Sequence, residues 1–68
     1  MRVVMTSNDL VQLSFLTALL ADAGIATTVL DGYTSIAEGS AGAIPRRLMV
    51  ESEDFDRACH VLRDAGEL

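Results

Sequence analysis

The sequence predicts a small α+β fold in the order strand, helix, strand, strand, helix, and three observations point to it. Two segments repeat apolar residues at helical steps, three others are rich in residues that favour strands, and a glycine stands after each helical segment.

Arg2-Val3-Val4-Met5-Thr6 is a β-branched start followed by Ser7-Asn8-Asp9, residues that favour turns and helix caps. A strand therefore runs into a helix. With Asp9 as N-cap, Gln12 falls at the third helical position, the spacing of a reciprocal capping box. The helix spans about Leu10 to Ala23, with Leu13, Leu16, Leu19, Leu20 and Ala23 on one stripe that must face a sheet. Gly24 can take the left-handed conformation that ends it.

Ile25-Ala26-Thr27-Thr28-Val29-Leu30 returns as the second strand, closed by Asp31-Gly32. The interval from Tyr33 to Pro45 has closely spaced glycines, small side chains and no sustained period, and loops of this length in compact domains are usually functional or disordered. Arg46-Arg47-Leu48-Met49-Val50 is the third strand, with Pro45 at its threshold, where a missing donor does least harm. Ser52 is a suitable N-cap for the second helix, and Glu53 and Asp54 suit its first turn. Phe55, Ala58, Cys59, Leu62 and Ala65 then follow at steps of three and four, with Glu53 and Arg57 as a four-residue ion pair elsewhere, before Gly66 stops the helix.

This order matches most of a ferredoxin-like split unit, a two-layer sandwich of order βαββα with both helices on one face of the sheet and the usual fourth strand short or absent. Pairing of the first and third strands leaves the first with an open edge. A homodimer would close that edge, whereas a short edge can also be tolerated as it is. The expected core is Leu16, Leu20, Val29, Leu48, Val50, Phe55, Cys59 and Leu62.

Composition narrows the function. The 68 residues suffice for a single domain, 1–68, with one core, burying roughly 60 % of the surface the unfolded chain exposes. Five arginines against ten acids give a net charge of −5, so there is no cationic stripe to follow a phosphate backbone, and nucleic acid is not an expected partner. No apolar run reaches the length of a membrane span. The lone cysteine and the absence of a charged-then-apolar leader lead us to expect a cytoplasmic protein.

Candidate chemistry is sparse. Cys59 and His60 are neighbours, but on a helix they point about 100° apart, with Cys59 toward the core and His60 beside Asp56 and Asp64 on the wet side. There is no second histidine or cysteine to complete a zinc set, no third group to orient a base, and the acids from Glu51 to Asp56 read as capping and solubilising charge. No enzyme activity, metal or cofactor is therefore expected. What remains is the loop and its exit: Gly39, Ser40 and Gly42 offer backbone amides and a hydroxyl, and Arg46 and Arg47 offer fixed positive charge that could hold an anion. The competing reading is structural, with the glycines permitting a tight excursion and the two arginines pointing to opposite faces of the strand to pair with nearby acids.

The stretch Asn8-Asp9-Leu10-Val11-Gln12-Leu13-Ser14-Phe15-Leu16, the segment Leu19-Leu20-Ala21-Asp22-Ala23-Gly24-Ile25, the Glu38-Gly39-Ser40 loop and Pro45-Arg46-Arg47-Leu48-Met49-Val50 together resemble the small bacterial family called putative prokaryotic signal-transducing proteins. The resemblance covers nearly the whole chain and implies a PII-like fold. In PII-like proteins the loop between the second and third strands contacts partners and helps shape a nucleotide site; the matching interval here is Gly32 to Pro45. This chain is smaller than PII proteins, with a shorter loop and no fourth strand.

Two functions follow as expectations. In the first, a small anionic metabolite or nucleotide settles near Gly39, Ser40, Gly42, Arg46 and Arg47 and alters what the loop touches. In the second, no ligand is bound, Tyr33, Ile36 and Ile44 dock a protein partner, and the open sheet edge forms a dimer. Both describe a signalling or regulatory domain.

Overall fold

The computed structural model describes residues 1–30 and 45–68. Strand β1 covers Arg2–Ser7, helix α1 Leu10–Asp22, β2 Thr27–Leu30, β3 Arg46–Val50 and helix α2 Phe55–Asp64, so the expected α+β order holds. The sheet runs β1-β3-β2, with β3 antiparallel to both neighbours. Both helices pack on the same face of this sheet, because Leu48 and Val50, two residues apart on β3, share one buried cluster with Leu13, Leu16 and Leu20 of α1 and with Ala58 and Leu62 of α2. That is the split unit, with β1 and β2 as the edges among the described residues.

Helix α1 starts where its cap allows. Asp9 Oδ1 accepts hydrogen bonds from the Val11 and Gln12 amides at 2.9 and 3.2 Å, satisfying two of the amides that open a helix. The reciprocal half of the expected capping box is relayed rather than direct. The Ser7 hydroxyl donates to Gln12 Oε1 at 2.6 Å and accepts from the Asp9 amide at 3.0 Å, so Ser7 stands between the two box residues. One hydroxyl thereby ties the end of β1 to the first turn of α1.

Both helices end in the same way. At α1 the Gly24 amide bonds to the Ala21 carbonyl and the Ile25 amide reaches back to Leu20; at α2 Gly66 bonds to Arg63 and Glu67 to Leu62. These are Schellman closures, and each puts its glycine at φ +80°. The first also places Ile25 in the core beside Leu20, a burial that strand periodicity alone did not predict. A Cβ added to Gly24 would meet nothing within 4 Å, so Gly24→Ala should lose only the conformational preference, about 1–2 kcal/mol. Its melting temperature checks this. Gly24→Asn should lose less, because asparagine tolerates the left-handed region.

Five of the eight expected core residues are fully buried: Leu16, Leu20, Leu48, Val50 and Leu62. Three expectations need correction. Val29 lies opposite Leu48 on the helix side of the edge strand, yet stays 38 % exposed, because the part of α1 above it carries Ser14 and Thr17 and leaves an open apolar depression with Leu10 and Leu13. Phe55 is half-buried at the sheet's margin, its ring covered by the Arg2 guanidinium 3.6 Å from the centroid. Cys59 is half-buried too, since the stripe of α2 centres on Ala58 and Leu62 and puts Cys59 on one flank and Val61 on the other.

The second helix also starts differently from expectation. Ser52–Asp54 form a single 3-10 turn and the α-helix proper begins at Phe55, with no side-chain cap from Ser52. Arg57 pairs with Asp54 at 3.3 Å and makes a long 3.5 Å hydrogen bond to the Ala23 carbonyl, linking the start of α2 to the end of α1. Being exposed, this pair is a tether of small energetic weight.

Candidate functional site

The residues singled out by the sequence divide into two groups. Gly39, Ser40, Gly42, Tyr33, Ile36 and Ile44 lie outside the described residues. Arg46 and Arg47 open β3, and the sheet separates them. Arg46 shares the helix side with Leu48 and Val50, is half-buried, and lies in register with Ser7; Arg47 points to the other face, is exposed, and lies between Thr6 on β1 and Leu30 on β2. The two side chains therefore leave β3 toward opposite faces of the sheet.

Their surroundings differ as well. Arg46 is already engaged by a neighbour. No hydrogen bond or ion pair holds Arg47 among the described residues. The face it occupies is the one the helices leave uncovered, where the register places Val3, Met49 and Thr28 in one row and Thr6, Arg47 and Leu30 in the next. Val3 and Leu30 are exposed and Met49 is half-buried, so among the described residues a single positive charge stands on a partly apolar sheet surface.

This face depends on a break in β1. Val3 pairs with Met49 but Met5 pairs with Leu48, leaving Val4 as the extra residue of a β-bulge. Val4 and Met5 both pack against the core. The slip lets two consecutive residues serve the helix side while Val3 and Thr6 stay on the open face. Nothing in the local sequence marked this, since neither glycine nor proline interrupts Arg2 to Ser7.

The N-terminus of α1 is close to Arg46 through its register partner Ser7, but the anion position there is taken by the Asp9 carboxylate. Cys59 and His60 diverge as expected, the thiol half-buried and the imidazole exposed. Among the described residues no three His, Cys, Asp or Glu side chains gather in a way that could hold a metal ion. None of the described helices is long and apolar enough to cross a membrane.

The described residues thus form a small two-layer α+β domain whose sheet carries the exposed Arg47 on the face away from the helices. The family model described as "Putative prokaryotic signal transducing protein" matches residues 1–66, and the chain belongs to that family. No curated protein and no solved structure matches it.

Proposed function

We propose that the chain is a regulatory domain that acts by binding, without catalysis of its own, and that Arg47 on the open sheet face recognises an acidic segment of a protein partner. The observation that supports this most is the exposed Arg47 guanidinium, without a hydrogen bond or ion pair among the described residues, on a face whose other strand side chains carry no charge. A guanidinium offers a carboxylate two parallel hydrogen bonds, and Val3, Leu30 and Met49 offer apolar contact around it. Family membership supports the signalling context.

The second reading is a small anionic ligand or nucleotide held near Gly39, Ser40, Gly42, Arg46 and Arg47. It draws on the placement of both arginines at the start of β3, directly after the glycine-bearing segment. The alternation of Arg46 and Arg47 weighs against it, as does the carboxylate of Asp9 at the neighbouring helix start.

A labelled peptide of alternating glutamate and valine, followed by fluorescence anisotropy at low salt, separates the two readings. Arg47→Gln should weaken its binding about three- to tenfold, equivalent to about 0.7–1.4 kcal/mol, while Arg46→Gln leaves it unchanged. Inorganic pyrophosphate serves as the competing probe. Saturable pyrophosphate binding that requires Arg46 would replace this proposal with the small-anion reading, and peptide binding indifferent to Arg47 would remove the open face from the site.

A further inference from the structure

The helices α1 and α2 differ in a way their shared role in the core does not require. The outer face of α2 carries Asp56, Arg57, His60, Arg63 and Asp64, as a helix side in water should. Helix α1 carries no charge from Leu10 to Ala21, and its outward side chains include Leu10, Val11 and Phe15, which are 59, 78 and 51 % exposed. An uncharged outer helix face that exposes large apolar side chains normally lies against something. In α1 the inner stripe is accounted for by Leu13, Leu16 and Leu20, and the outer one has no cover from the described residues.

From this we infer that the outer face of α1 is where a second copy of the chain packs, forming an antiparallel helix pair about a two-fold axis. Three observations select a second copy. The outward residues Val11, Phe15, Ala18 and Asp22 are spaced four, three and four apart, the repeat of a helix-packing seam. Antiparallel pairing centred between Phe15 and Ala18 sets each Phe15 ring over the small Ala18 of the other copy, a large-on-small match made twice by symmetry. This face is also the one that an acid-rich chain can present to itself without placing a charge at the centre: α2 is charged along its outer side and the open sheet face has Arg47, which would meet its own copy.

The edge of β1, another route to a dimer, is interrupted at Val4, and bulges discourage pairing along an edge. Helix α1 has 13 residues and is thus roughly 20 Å long. A contact of that length falls below the roughly 1,200–2,000 Å² that stable complexes bury, so the dimer is reversible and concentration-dependent. That register sets Asp22 of one copy beside Val11 of the other at each end of the pair, and added salt strengthens the dimer by screening the repulsion between two copies of net charge −5.

Sedimentation equilibrium of the intact chain from micromolar to millimolar concentration tests this. The weight-average mass should rise from 7.3 kDa toward twice that value, more steeply at 0.5 M than at 0.05 M sodium chloride. Val11→Glu and Phe15→Glu, both at exposed helix positions, should each hold the chain at monomer mass while leaving its circular dichroism spectrum unchanged. Leu30→Gln, on the open sheet face, should leave self-association intact. A wild-type chain that stays monomeric at millimolar concentration overturns the inference, and so does a dimer that survives both glutamate variants or that dissociates as salt is raised.

Discussion

Replacing Leu16 by alanine should lower the free energy of unfolding by about 2–5 kcal/mol, because the side chain is fully buried where α1 meets the sheet and the cavity left behind can close only in part. A domain of this size has about 3–10 kcal/mol in total, so the variant stands near the edge of folding. Urea unfolding followed by circular dichroism gives the number. A fall of the midpoint with an unchanged slope is expected, and a loss below about 1 kcal/mol would mean that α1 is not seated on the sheet as described.

Placing an aspartate at each of two neighbouring positions on β3 should give opposite results. Leu48→Asp puts a carboxylate into the fully buried, apolar centre of the sheet's helix side and should unfold the chain outright. Arg47→Asp, one residue away, changes an exposed side chain on the other face and should alter stability by less than about 1 kcal/mol. Amide signals collapsed into the narrow random-coil range for the first variant, and well dispersed for the second, would verify the alternation on which the candidate site rests. Equal damage from both would contradict it.

The readable parts of this fold are those set by local chemistry. Asp9 caps α1 because its short carboxylate reaches amides two and three residues on, and Gly24 and Gly66 close the helices because only glycine takes φ +80° without strain. The wet side of α2 was legible because Asp56, His60 and Asp64 fall on one line. The parts that were not readable depend on neighbours distant in sequence. Val29 has strand character, but its burial was decided by Ser14 and Thr17 on another element. The bulge at Val4 is set by matching β1 to β3, some 45 residues later, and no residue type announces it.

The candidate site shows the same division. Alternation of Arg46 and Arg47 follows from strand geometry and could be anticipated; that Arg46 is engaged while Arg47 has no partner among the described residues required the surrounding structure. The outer face of α1 is hidden in the sequence for a different reason. Its inner leucine stripe explained the helical period so fully that Val11 and Phe15 did not stand out against it.

The central claim, that the open sheet face is the recognition surface, is tested most directly by methyl carbon–proton spectra of the intact chain titrated with the glutamate-valine peptide. The methyl groups of Val3, Leu30 and Met49 should shift progressively with peptide, while those of Leu48 and Val50 on the helix side stay in place, and Arg47→Gln should diminish the shifts together. Shifts confined to the α1 methyls of Leu10 and Val11, or an unmoved Met49 at saturating peptide, would contradict it.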